Sequence, residues 1–141
     1  MSTTKLELLS EGVSQQPDTF QMDLKKRRAK CRLWVMYFMD HGQHVAYIPS
    51  FQVTGYGDSQ DEAMHMVFDD VLSDVFEHLV EMTPDHIAKE LAKYGWKHDK
   101  VFKKNYSKAA YVDKDGILKD FNLPKDTEIT SRYVKREAVA A

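Results

Sequence analysis

A single cysteine, Cys31, among 141 residues excludes an internal disulfide and any metal site built on cysteines. Long apolar runs are missing too. The longest, Leu33 to Met39, falls far short of the ~20 residues a helix needs to cross a bilayer. The opening stretch Met1-Ser2-Thr3-Thr4-Lys5 lacks the apolar core of a signal peptide. No repeat or low-complexity segment occurs. These absences set the expectation of a cytoplasmic protein with no membrane partner. The short motifs of common enzymes are also missing: there is no Gly-x-Ser-x-Gly, no His-Glu-x-x-His and no P-loop.

What is present suits one domain. Hydrophobic residues make up 43% of the chain, and a domain near this length buries roughly two-thirds of its unfolded surface. The net charge of −2 hides an asymmetry. Asp58 to Glu90 contains ten acids and one base, a balance of −9, which leaves +7 for the rest. Much of that excess lies in Lys25-Lys26-Arg27-Arg28-Ala29-Lys30 and between Lys89 and Lys108. Such separation favours oriented contacts with charged partners or with copies of the same chain.

Residues 1–24 read as an N-terminal tail, 25–97 as an α/β core and 98–141 as a C-terminal extension. The run Cys31 to Met39 is rich in β-branched and aromatic residues and predicts a strand buried on both faces. Asp40-His41-Gly42-Gln43 supplies a turn, and His44 to Ile48 a second strand. Phe51 to Tyr56 alternates as a third. Ser59 and Glu62 then have the spacing of a capping box. The helix they open should reach about Met82, with Ala63, Met64, Val67, Phe68, Val71 and Leu72 starting an apolar stripe that continues through Leu79. Thr83-Pro84 caps a shorter helix that Gly95 ends. Beyond it, Ala109 to Val112 predicts a strand, Asp113 to Gly116 a turn and Ile129 to Val134 a last strand, free to pair with another chain. The fold class is therefore α+β: a small antiparallel three-stranded sheet in a β-β-β-α core, packed by one long and one shorter helix, with a further C-terminal strand.

The residues His44-Val45-Ala46-Tyr47-Ile48-Pro49, Gly55-Tyr56-Gly57-Asp58-Ser59 and Glu62-Ala63 follow one another in the order hairpin, third strand, long helix. That order resembles the HicB-like antitoxin family, and the Tyr94-Gly95-Trp96-Lys97 ending of the second helix fits it. The resemblance covers about residues 31–97. It implies a partial ribonuclease-H-like arrangement and a partner, a small basic ribonuclease toxin whose active site the antitoxin covers. Family members also carry a C-terminal DNA-binding domain. The 46 residues after Gly95 show no pair of amphipathic helices, so DNA binding and autorepression are doubtful here.

Other constellations carry less. Gly55-x-Gly57 before a helix lacks the third glycine of a dinucleotide fingerprint, and Asp58, Asp61 and Glu62 would repel a pyrophosphate. Asp61/His65, His65/Asp69, Asp74/His78 and His86/Glu90 stand at i,i+4 spacing and could hold a metal or move protons. Solvent-exposed pairs worth a few tenths of a kcal/mol are the simpler reading. The basic run Lys25 to Lys30 could grip phosphates, but without interleaved aromatics it offers no stacking platform. The expectation is thus a non-enzymatic binding module with no catalytic, cofactor or metal residues. Asp69, Asp70, Asp74, Glu77 and Glu81 would attract the basic partner. The chain would also self-associate as a dimer or higher oligomer, because the apolar stripe is wider than three short strands can cover. The alternative is a stand-alone oligomeric HicB-like protein without a toxin.

Overall fold

The computed structural model describes residues 7–8, 17–109 and 114–139. In chain order the elements are β1 (Glu7–Leu8), β2 (Asp18–Asp23), β3 (Arg28–Asp40), β4 (Gln43–Ile48) and β5 (Val53–Gly57). A long helix follows as α1 (Gln60–His65), a π-helical segment (Met66–Leu72) and α2 (Ser73–Val80) without a break. Then come α3 (Pro84–Lys93), β6 (Lys97–His98), β7 (Asn105–Lys108), α4 (Lys114–Asp120) and β8 (Thr130–Val139). The α+β class holds, but among the described residues the sheet has eight strands rather than three, all paired antiparallel.

The expected β3-β4-β5 meander and helix are there. His41 and Gly42 both have positive φ (50° and 82°), which suits a two-residue hairpin turn between β3 and β4. Ser59 accepts the Glu62 N–H at 3.1 Å, while the Glu62 carboxylate accepts the Asp58 N–H at 2.9 Å. The reciprocal cap therefore reaches one residue further back than a capping box. Thr83 caps α3 through the His86 N–H, and Gly95 (φ +93°) follows its end. Gly55 has a steric reason: a Cβ there would lie 2.4 Å from the Ala63 carbonyl oxygen and 2.6 Å from the Val67 nitrogen. The helix is seated on β5 at a distance only glycine allows.

Three expectations need correction. The stretch assigned to a tail contains β2, whose Phe20 and Met22 are buried in the core beneath the helix. The turn placed at Asp113 to Gly116 gives way to α4 from Lys114 onward; the strand placed at Ala109 to Val112 falls mostly outside the described residues. The last strand pairs with β3 of its own chain along its whole length. With β2 and β8 added, the helix stripe is covered within the chain. The outer edge of β8 pairs with β1 only at Thr130 and Ser131, so among the described residues most of that edge has no strand beside it.

β3 organises the molecule. One edge pairs with β8; the other pairs first with β2 (Arg28 to Arg32) and then with β4 (Met36 to Asp40). Its odd residues Leu33, Val35 and Tyr37 face the long helix and α3, with Phe51, Phe76, Leu91 and Trp96 in the same core. Its even residues Trp34, Met36 and Phe38 face α4, through Ile117 and Leu118. Among the described residues, helices pack along one face of β3 and over only the Trp34 to Phe38 half of the other.

The π segment follows from spacing. Met64, Phe68, Leu72, Phe76 and Val80 are all buried and stand four residues apart throughout. In a pure α-helix each four-residue step turns about 40° too far, so the stripe would wander by roughly 160° over that span. The wider π turn takes up this drift and keeps the stripe on the sheet.

Candidate functional site

The acidic residues singled out from sequence lie where expected. Asp69, Asp70, Asp74 and Glu77 are exposed on the helix, away from the sheet, and Glu81 is exposed at its C-terminal cap. Asp70, Asp74, Glu77 and Glu81 succeed one another at steps of four, three and four and form one stripe. Asp69 stands beside it, 2.6 Å from the His65 ring. Glu81 is partly neutralised by Arg27 at 2.8 Å. Next to this stripe is a hollow of about 280 Å³ between α2 and α3. Phe51, Val75, Leu79, Leu91 and Tyr94 give it an apolar lining, and Asp74, His78 and Glu90 add polar groups. A hydrogen bond from Lys93 (2.8 Å) holds the Glu90 carboxyl below its usual range. The other pairings at helical spacing build no metal site. Among the described residues no three of His, Cys, Asp and Glu gather closely enough to hold an ion.

Sequence reasoning missed the opposite face. Arg28, Lys30 and Arg32 have the parity of Trp34 on β3, so they point to the side that α4 leaves open. Register extends them sideways: Arg32 lies between Thr19 of β2 and Lys135 of β8, and Lys30 between Gln21 and Glu137. Beyond Thr19 come Ser107 of β7 and Lys97 of β6. A hollow of about 690 Å³ opens over these rows. The Arg32 guanidinium stacks 5.0 Å from the Tyr133 ring and donates to the Pro17 carbonyl. Two acids line the hollow, and both are engaged. Glu137 is 3.7 Å from Arg28, and Asp99 accepts the N–H groups of Val101 and Phe102. Those two bonds hold the Asp99 carboxyl below its usual range. They also shape the β6–β7 tip, where Val101 and Phe102 are 79% and 65% exposed among Lys100, Lys103 and Lys104. The signal was present in the sequence: basic residues at 28, 30 and 32 alternate with Ala29, Cys31 and Leu33, the mark of a strand with one charged face.

Where β3 changes partner, the Asp18 side chain fills the gap. Its carboxylate accepts the Trp34 N–H at 3.2 Å and the Ser50 hydroxyl. Trp96 in turn donates to the Ser50 carbonyl at 3.0 Å. Burial pushes the Asp18 carboxyl up to about 6, against the lowering pull of Ser50 and Trp34. Burial pushes the Cys31 thiol up to about 12, away from the thiolate form. What the molecule presents, then, is two charged surfaces of opposite sign on opposite faces of one sheet. Comparison with protein-family models, curated proteins and solved structures finds no match.

Proposed function

We propose that the chain is a non-catalytic binding module of HicB-like type, which masks a small basic ribonuclease toxin with its acidic helical face. The observation that carries this reading is the apolar hollow between α2 and α3 with Asp74 and Glu90 among its lining. A solvated helix face needs no apolar recess. A protein-binding face uses one to seat an anchoring side chain, with charges around it that steer the partner. The strand-strand-strand-helix order of residues 28–80 agrees with the resemblance.

The test uses any small basic protein found encoded beside this chain. Co-expression should give a stable complex in which ribonuclease activity is suppressed. The D74K/E77K double variant should associate about tenfold more slowly, because reversing charges around a docking site acts mainly on the encounter rate. A complex formed at unchanged rate, or ribonuclease activity left undiminished, overturns the reading. Absence of any such neighbour would favour a stand-alone HicB-like protein.

A further inference from the structure

We infer that the open half of the second sheet face binds single-stranded nucleic acid, with the β6–β7 tip supplying a stacking ring. This surface is separate from the acidic helix and does not depend on the function proposed for it.

Charge comes first. Lys30 and Arg32 stand about 7 Å apart along β3, and Lys135 lies one strand away, about 5 Å across the sheet. Lys97 continues the Arg32 row at the far edge. Flat spacing of this kind presents several cations to a chain of phosphates at once. The two acids of the lining leave a positive balance: Lys30, Arg32 and Lys135 outnumber Asp99 and Glu137, and Glu137 is shared with Arg28.

Two further features select the polyanion. Hydroxyl and amide groups of Thr19, Gln21, Asn105 and Ser107 line the hollow between the cations, as suits hydrogen bonds to bases and sugars. At its border, Phe102 is 65% exposed beside Lys103 and Lys104. A single strand offers unstacked bases for such a ring, whereas a duplex does not. A membrane surface would need neither the hollow nor its polar lining. The acidic helix on the sheet's other side repels a polyanion from that face and so orients it toward this one.

The experiment is fluorescence anisotropy of the full chain with labelled oligo-dT and oligo-U of about 12 nucleotides, within the ~4–16 nucleotides that single-strand-binding folds cover. Affinity should fall steeply between ~50 and ~200 mM salt. K30E/K135E should weaken binding at least tenfold and flatten the salt slope by about 1 to 2. F102A should weaken it about fivefold or more. All three side chains are exposed, so the variants should fold, which circular dichroism checks; K30Q/K135Q provides a milder pair. No binding by the parent chain at ~50 mM salt overturns the proposal, as does binding that neither lysine pair weakens. Binding to phosphatidylserine vesicles but not to oligonucleotides would assign the face to a membrane surface instead. Salt-sensitive self-association relieved by K30E/K135E, without oligonucleotide binding, would assign it to the acidic helix of a second copy; either result overturns the proposal.

Discussion

Asp18 is the residue on which the sheet's branching turns. β3 needs an acceptor for the Trp34 N–H at the point where β2 has ended and β4 has not begun, and Asp18 provides it. A buried carboxylate carries a desolvation cost that its hydrogen bonds only partly offset. Its folded pKa of about 6 stands above the ordinary 3.8, so the folded state holds the proton more tightly than the unfolded chain does. The resulting stabilisation is complete below about pH 3.8 and is lost as pH rises through about 6. The lost stability is on the order of 3 kcal/mol. Asp23, Glu90 and Asp99, whose pKa values are lowered, slope the other way, so the effect must be read as a difference. Urea unfolding of the parent chain and of D18N at several values between pH 4 and pH 7 should show the parent losing ground to the variant as pH rises. Asn keeps the acceptor for Trp34 without the charge. A pH-independent gap between the two would show that Asp18 ionises freely.

At the scale of elements, the long helix is tuned to the sheet by its π segment. Deleting Asp70, an exposed residue inside that segment, changes the stripe after Phe68 to spacings an α-helix can meet. The deletion should therefore leave a cooperatively folded protein, within about 2 kcal/mol of the parent by chemical denaturation. Inserting an alanine after Asp70 has the opposite effect. It asks for a second bulge or turns Phe76 and Leu79 away from the core, and should cost about 3 kcal/mol or more. Equal tolerance of both changes would mean that the stripe is not what holds the helix in register. The same element shows how far local pattern carries. The Ser59 cap, the Thr83-Pro84 start and the Gly95 stop were all legible, because each is decided within four residues of chain. The π segment was equally present in the unbroken four-residue steps, which a reading in threes and fours blurs. β2 was harder to see. Its alternation covers only Phe20 and Met22, between aspartates that read as surface residues.

For the whole molecule, the sheet keeps two fields apart. The acidic stripe and the basic hollow lie on opposite faces, and charges separated by more than ~8 Å are largely screened at physiological salt. Changes on one face should therefore leave the other's binding intact. K30E/K135E should associate with a basic protein partner at the parent rate or slightly faster, while D74K/E77K should keep its affinity for oligonucleotide within about twofold. Stopped-flow and anisotropy on the same two variants check this, and loss of both activities in either variant would mean that the surfaces are one site or that the fold is disturbed. No helix among the described residues is long and apolar enough to span a membrane.

By itself the sequence determined the β3-β4-β5 meander, the caps, the apolar stripe and the acidic face. Each of these is written in contiguous residues, and a helix converts spacing along the chain directly into a face. The acids from Asp69 to Glu81 could be placed on one side of a helix with no knowledge of what the helix packs on. The tertiary structure alone decided the eight-stranded sheet, the place of Asp18 and the basic hollow. Lys30, Lys97, Ser107 and Lys135 come onto one surface only through the β3–β8, β2–β3, β2–β7 and β6–β7 registers. A register between strands so distant in sequence is set by which side chains the core must bury. Which half of the second face stays open was likewise decided by how far the seven residues of α4 reach across it, a matter of packing that no local spacing encodes.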